Sequence, residues 1–341
     1  MVPDGTSPSS PPDDRHPAAA SGAARTAPAA RPRVRIAVLV PCCNEELSIA
    51  QVVRDFRAAL PQAIIYVYDN NSRDRTREAA AQAGAVIRSE TLQGKGNVVR
   101  RMFADIEADV YVLVDGDDTY HAASAPIMVQ ALLGTQLDMV NGRRRGDVRG
   151  AYRRGHRFGN VLLTRLVSAI FGRRFTDMLS GYRVFSRRFV KSFPALASGF
   201  EIETELTVHA LELRMPTAEI DTPYKDRPRG SVSKLRTYRD GWRILMTILL
   251  LIKEERPLPF FGGIFMLLML FSLAISVPLL ITYAETGLVP RFPTAILATG
   301  CALLAFLSLA CGLILDTVTL GRREAKRMRY LEIPALSGDG G

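Results

Sequence analysis

Two long stretches without a single charge decide most of what this chain can fold into. From Pro257 to Ala284, and again from Phe292 to Leu315, no Asp, Glu, Lys or Arg occurs. A helix needs ~20 largely apolar residues to cross a bilayer, and each run is long enough. The short link Glu285 to Arg291 carries turn-forming Gly287 and Pro290. A helical hairpin through a membrane is expected over 257–320. The segment from Arg239 to Ile252 is amphipathic enough to lie along the surface, so an interfacial helix is expected over 239–256.

Ahead of the hairpin the pattern is that of an α/β domain, over 34–238. Arg35 to Val40 reads as a buried strand stopped by Pro41. Asn44 is placed to cap the next helix, with Glu45 and Glu46 in its first turn, and Ile49, Val52, Val53, Phe56 and Leu60 recur at helical spacing. A strand from Ala63 to Asp69 follows. Gly84 suits a helix stop before a strand from Ala85 to Arg88. Gly94-Lys95-Gly96 opens another helix, and a strand from Asp109 to Val114 ends at Asp115. A strand ending near Val140, a helix from Glu201 to Leu213 and a last strand within Pro216 to Lys225 complete the reading. Alternating strands and helices imply a mostly parallel sheet covered on both faces. Ligands of such sheets bind outside the carboxyl ends of the strands, where Asn44, Asp69, Asp115 and Asp117 fall.

Residues 1–33 are rich in Pro, Ala and Ser and read as a disordered tail without a signal peptide. The four cysteines, Cys42, Cys43, Cys301 and Cys311, show no metal-ligand spacing and read as small buried side chains. His121, His156 and His209 have no partner that the sequence reveals.

Asp115-Gly116-Asp117 is the sharpest chemical motif. Residues two apart on an extended segment point to one side, so both carboxylates can converge on a hard cation such as Mg²⁺ or Mn²⁺. Gly116 leaves room for a ligand close to the backbone. In isolation a solvated turn is the commoner explanation, and Asp118 leaves open which carboxylates are the ligands.

Context adds to the motif. Pro41-Cys42-Cys43-Asn44-Glu45, Tyr68-Asp69-Asn70-Asn71-Ser72-Arg73-Asp74, Gly94-Lys95-Gly96 and the acidic tip occur in an order that resembles the family 2 glycosyltransferases, whose nucleotide-binding half has the GT-A fold. Ser180-Gly181-Tyr182-Arg183 and Arg227-Pro228-Arg229-Gly230-Ser231-Val232-Ser233-Lys234 resemble the polyprenyl-phosphate branch, which includes dolichyl-phosphate mannose synthase and undecaprenyl-phosphate sugar transferases. The resemblance covers roughly Arg35 to the C-terminus. The family's usual aromatic residue before Asn-Glu is Cys43 here, and Asp69-Asn70-Asn71-Ser72 replaces the common Asp-Asp-Gly-Ser. Both departures bear on which nucleotide is bound.

The resemblance implies an inverting transfer of a sugar from a UDP- or GDP-sugar to undecaprenyl or dolichyl phosphate. Pro41, Asn44, Glu45 and Asp69 would line the nucleoside pocket, with Asp69 accepting a hydrogen bond from the base. Lys95, Gly116 and Arg144 would lie on the donor side. Asp115 and Asp117 would hold Mg²⁺ or Mn²⁺. Arg227, Ser233 and Lys234 would close on the phosphates of donor and lipid. Asp177 is a candidate for orienting the acceptor or acting as a base, and its plainer role is to cap a turn. Lys95 has the alternative of a solvated helix start, and Arg143 and Arg145 that of plain basic surface.

Charge agrees with this reading. Against 34 Asp and Glu stand 44 Lys and Arg, a net charge of +10, which suits anionic partners. A nucleic-acid binder would explain the charge but neither the acidic tip nor the spans. Arg322, Arg323, Lys326, Arg327 and Arg329 follow the second apolar run, in a basic tail expected over 321–341, and Lys253 and Arg256 precede the first. The positive-inside rule then places the catalytic domain and both termini in the cytoplasm, on a multi-pass cell-membrane protein. The tail is expected to meet anionic headgroups. The spans and the amphipathic helix also offer surfaces for self-association. The alternatives are a family 2 transferase acting on a small phosphorylated acid, a protein or a polysaccharide, and an inactive scaffold that binds nucleotide-sugar.

Overall fold

The computed structural model describes residues 34–145, 175–199, 201–225, 246, 249–250 and 252–335. Arg227, Ser233, Lys234, His156, the N-terminal tail and most of the expected interfacial helix lie outside the described residues.

Seven strands form one sheet in the order β3-β2-β1-β4-β6-β5-β7. They are β1 (Ile36–Cys42), β2 (Ile64–Asp69), β3 (Val86–Ser89), β4 (Val110–Leu113), β5 (Met139–Arg145), β6 (Arg183–Ser186) and β7 (Thr217–Pro223). The pairings are parallel except for β6, which runs antiparallel to both β4 and β5. The expected mostly parallel α/β sheet is therefore present. Its reversed strand matters for function, because the residues just before β6 lie at the same end of the sheet as the residues just after β1, β2 and β4.

Alternation along the strands builds a core on each face. Val38, Val40 and Cys42 of β1 join Val110 and Val112 of β4 on one side. Ala37 and Leu39 join Tyr111, Leu113 and Phe185 on the other. Helices α1 (Ile49–Ala59) and α4 (Ala125–Gly134) contribute Val52, Phe56, Met128 and Leu132 to the first core. Helices α3 (Lys95–Asp105), α5 (Arg187–Ser192) and α6 (Ile202–Glu212) contribute Met102, Phe189 and Leu206 to the second. Helix α2 (Thr76–Gln82) ends before Gly84, whose φ of +91° is the left-handed turn expected there.

Pro41 does not stop the first strand, which runs on to Cys42. Leu39 gives its carbonyl to Val114 on the β4 side, and Cys42 gives its carbonyl to Asn70 on the β2 side. That alternation turns the nitrogen of Pro41 towards β4, whose pairing with β1 has already ended at Leu113. The ladder loses no donor there. The strand expected to end near Val140 likewise continues to Arg145, held by parallel pairing with β7.

The two apolar runs form α7 (Pro257–Thr286) and α8 (Phe292–Leu331), both long and apolar enough to cross a membrane. They meet through small residues. Ala298, Cys301, Ala305 and Gly312 of α8 are buried, and a Cβ on Gly312 would lie 3.0 Å from that of Phe261. Ser272 Oγ donates to the Ala298 carbonyl at 2.7 Å and Ser308 Oγ to that of Phe261 at 3.0 Å.

Helix α8 does not end at the expected boundary of 320 but continues to Leu331, and its basic end packs on the α/β domain. Lys326 Nζ lies 2.7 Å from Glu212, Arg323 pairs with Glu212 and Glu255, and Tyr330 Oη donates to Asp138 at 2.8 Å. Arg188 pairs with the same Asp138 and stacks 4.9 Å from the Tyr330 ring. Three of the tail's cations, expected to face lipid headgroups, are thus engaged by carboxylates of the protein, Arg329 by Glu332 of its own helix end.

Candidate active site at the strand ends

The loop after β1 and the loop after β2 are tied together. Asn44, at φ +52°, accepts from the Arg73 amide through Oδ1 at 2.7 Å, and its own amide donates to Ser72 Oγ at 2.8 Å. The Glu45 amide donates to Thr76 Oγ1, and Glu46 accepts from the Arg75 amide. Asn44 therefore does not cap α1, and Glu45 and Glu46 lie ahead of its first turn. The helix begins at Ile49 behind Ser48. Both loops spend their polar groups on each other, which fixes one wall of a crevice outside β1, β2 and β4.

Asp69 ends β2 in that wall and is only 4% exposed. Its Oδ2 accepts from the Ser72 amide at 3.3 Å, while its Oδ1 has no hydrogen-bond partner among the described residues. A buried carboxylate oxygen left open is costly unless a ligand donates to it. Asn70 turns away, giving its side-chain N–H groups to the Glu90 and Leu92 carbonyls. Cys43, half-buried, lies 3.9 Å from Gln93 Nε2 in the same crevice.

The Gly-Lys-Gly segment opens α3 as expected, but its glycines serve the backbone. A Cβ on Gly94 or Gly96 would collide with the Ser198 or Ala197 carbonyl. Those close approaches let Gly199 O and Ser198 O accept from the Gly96 and Asn97 amides at 3.1 and 3.4 Å. The helix start is thereby capped by the chain itself, and what projects into the crevice is Lys95.

Lys95 Nζ pairs with Asp115 Oδ1 and lies 2.6 Å from Glu203 Oε1. The Lys95 side chain is 10% exposed and that of Glu203 8%. Burial lowers the pKa of this ammonium, but the Asp115 and Glu203 carboxylates outweigh burial and hold it above the ordinary lysine value. Glu203 is absent from the sequence expectations. The available signal was a carboxylate on the buried face of α6, among Ile202, Leu206 and Ala210.

At the acidic tip, Gly116 is required by packing. A Cβ there would lie 2.5 Å from Cys42 Sγ and 3.5 Å from Ile49 Cδ1. Asp117, 4% exposed, accepts from Thr119 Oγ1 at 2.6 Å. Asp118 is drawn aside by Lys225 at 2.7 Å, which leaves Asp115 and Asp117 as the pair of interest. Lys225 also gives its amide to the Thr119 carbonyl at 3.0 Å. Lys225 is thus pinned beside the acidic tip.

Ser180-Gly181-Tyr182-Arg183 buttresses this end of the sheet. The Gly181 amide donates to Tyr120 Oη at 2.8 Å, and a Cβ at Gly181 would strike the Asp115 carboxylate. Ser180 Oγ donates to the Gly142 carbonyl at 2.6 Å. Arg183 is fully buried and donates to the Ser180 carbonyl at 3.0 Å, the Met178 carbonyl at 2.5 Å and Thr207 Oγ1 at 2.8 Å. Burial pulls its pKa down to about 10. It pins the segment that carries Asp177 to the helix that carries Glu203.

Asp177 meets Arg144 in a two-pronged pair, with Nε and Nη2 each 2.7 Å from a carboxylate oxygen and the Arg144 amide at 3.2 Å. Burial raises the Asp177 pKa, but the hydrogen bonds and charge of Arg144 outweigh it and leave the group below the ordinary aspartate value. Glu219, also absent from the sequence expectations, receives Asn141 Nδ2 at 2.9 Å and the Thr176 amide at 2.9 Å, fixing the same segment. The Arg144 guanidinium lies 5.6 Å from the Tyr224 ring. Of the two flanking arginines, Arg143 and Arg145, both pair with Asp221.

No group of three or more His, Cys, Asp and Glu side chains is placed to hold a metal by itself among the described residues. Two hard carboxylates fit a cation that takes its remaining ligands from a substrate, as Mg²⁺ commonly does with phosphates.

Comparison with known proteins places this geometry. A family model described as glycosyl transferase family 2 matches residues 37–193. Glycosyltransferase AglJ of Haloferax volcanii is 37% identical over 231 residues, covering 67% of this chain and 76% of that protein. A dolichyl-phosphate hexose transferase of the same organism is 28% identical over 221 residues, 65% of this chain and 95% of that one. Among solved structures, glucosyl-3-phosphoglycerate synthase from Mycobacterium tuberculosis, in complex with Mn²⁺, UDP-glucose and phosphoglyceric acid, superposes with a TM-score of 0.53. It is 23% identical, over 64% of this chain and 79% of that one, a likeness of fold.

Proposed function

The chain belongs to glycosyl transferase family 2, and from that premise we propose that it moves a sugar from a UDP- or GDP-sugar to a polyprenyl phosphate at the cytoplasmic face of a membrane. The observation that carries the acceptor is the junction of α8 with the sheet domain. Lys326 with Glu212, and Tyr330 with Asp138, couple a membrane-length helix directly to the body that bears the acidic tip. A catalytic domain so attached works at the lipid surface, where a lipid phosphate is presented. The relative named as a dolichyl-phosphate hexose transferase supports the same acceptor class.

Asp69 Oδ1, open and buried at the end of β2, suits an N–H donor of the nucleobase. Asp115 and Asp117 would hold Mg²⁺ or Mn²⁺, which when bound supplies neutralising charge at the donor diphosphate. Lys95 adds a fixed positive charge beside Asp115. Arg144, held rigid by Asp177, adds a second, so that an anionic acceptor can approach an anionic donor. A phosphate oxygen of the lipid attacks the anomeric carbon as the bond to the nucleoside diphosphate breaks, with inversion. The nucleophile is already ionised at neutral pH, so no side chain has to take a proton. Asp177 then serves to position Arg144, since acting as a base would break its pair. Arg227, Ser233 and Lys234, by resemblance, would close on the phosphates.

The test incubates the purified full chain with Mn²⁺ or Mg²⁺ and a panel of UDP- and GDP-sugars, offering undecaprenyl phosphate and 3-phosphoglycerate as acceptors in parallel. A glycolipid made from one donor is expected. Product on phosphoglycerate with none on lipid would transfer the reading to a soluble phosphorylated acceptor. Nucleotide-sugar binding without product on any acceptor would favour the scaffold.

A further inference from the structure

We propose that Glu203 is a positioning residue, which holds Lys95 in the site and thereby sets how strongly Asp115 and Asp117 bind a divalent cation; this rests on reading the acidic tip as the cation site of the donor complex. Lys95 is a competitor at that tip as well as a helper. Its ammonium already occupies Asp115 Oδ1, and a cation arriving at the same carboxylate meets a fixed positive charge. With Asp115 as its sole counter-charge, Lys95 would neutralise the carboxylate the cation needs.

Glu203 changes that balance. It approaches Lys95 from α6 through Oε1 at 2.6 Å, and its Oε2 has no hydrogen-bond partner among the described residues. The carboxylate therefore has spare capacity to keep the ammonium when Asp115 turns to a cation. Its backbone is held independently of Lys95. The Glu203 carbonyl accepts from Thr207 Oγ1 at 3.1 Å, and Thr207 Oγ1 in turn accepts from the buried Arg183. Burial pushes the Glu203 pKa above the ordinary glutamate value, while the Lys95 ammonium 2.6 Å away opposes that push and favours the carboxylate form. The cluster sets two acidic side chains against one ammonium, and Glu203→Gln would leave Asp115 as the one acidic partner of Lys95 within it.

Glu203→Gln keeps the shape and an oxygen for Lys95 while removing the charge. Glu203→Asp keeps the charge on a shorter arm. Mn²⁺ binding is read by electron paramagnetic resonance on full-length protein in detergent, with UDP and then GDP present, alongside cooperative thermal unfolding. Glu203→Gln is expected to unfold cooperatively and to bind Mn²⁺ about tenfold more weakly, as loss of one nearby charge implies. Glu203→Asp is expected to recover part of that affinity. Wild-type Mn²⁺ affinity in a folded Glu203→Gln would overturn the inference and leave the site reading intact. Equal losses in both variants, in step with lost cooperative unfolding, would also overturn it, by showing a packing role. Failure of the wild type to bind Mn²⁺ with either nucleotide would overturn the site reading and this inference together.

Discussion

Two ion-paired clusters flank the crevice, and they are built differently. Around Arg144 and Asp177 each carboxylate oxygen is matched, by Nε and Nη2 at 2.7 Å, and the loop behind is tied down through Asn141 and Glu219. Around Lys95 one ammonium serves two carboxylates, and Glu203 retains an open oxygen among the described residues. Asp69 has another, on the same footing, across the crevice. A closed cluster holds geometry, whereas an open one keeps capacity for a ligand. That difference separates residues whose loss should cost stability from residues whose loss should cost binding.

The largest effect should come from the acidic tip. Asp117→Asn is expected to lower metal-dependent glycolipid formation by about a hundredfold or more, with cooperative unfolding retained. Full activity in that variant would remove the cation from Asp117. The closed pair should behave in the opposite sense. Asp177→Asn takes the carboxylate charge from the half-buried Arg144 and is expected to cost about 3 kcal/mol of stability by denaturant unfolding at neutral pH. The folded pKa of Asp177 is depressed, so its contribution is present above the ordinary aspartate pKa of about 3.9 and is lost as pH falls through the folded value. The gap between wild type and Asp177→Asn should accordingly close in acid. A gap that stays constant from neutral pH into acid would mean that the pair adds no net stability.

Asp69→Asn tests the open class. It is expected to weaken nucleotide binding about tenfold by calorimetry while changing stability little, because among the described residues the Asp69 carboxylate accepts a single hydrogen bond. A large stability loss with unchanged binding would move Asp69 into the closed class. The smallest effect belongs to the α8 junction. Tyr330→Phe removes one hydrogen bond to Asp138, whose other oxygen keeps Ser186 and Arg188, and is expected to cost about 1 kcal/mol.

The division between clusters also explains which parts were legible in the sequence. The mostly parallel α/β sheet, the Gly84 turn and the two long apolar helices follow from periodicity and charge, which are local properties. Pro41 misled, because whether a proline breaks a strand depends on where the neighbouring strand ends, and β4 ends early. Asn44 misled for a similar reason, since Ser72 and Arg73, far along the chain, offered it better partners than the helix did. Lys95, Asp115 and Asp117 sit in short motifs and could be named in advance. Glu203 and Glu219 could not, because each acts across 42 residues or more, Glu203 on Lys95 and Glu219 on Asp177. Arg183 stood inside a motif, yet its burial and its link from Met178 to Thr207 exist only in the folded chain.

The central claim is transfer to a lipid phosphate, and one measurement bears on it most directly. The full chain in vesicles, with labelled sugar donor and Mn²⁺, is offered undecaprenyl phosphate, undecaprenol and 3-phosphoglycerate side by side, and label in lipid and water phases is counted. The account predicts label on undecaprenyl phosphate alone, lost in Asp117→Asn. Label on 3-phosphoglycerate with none on the lipid phosphate would contradict it.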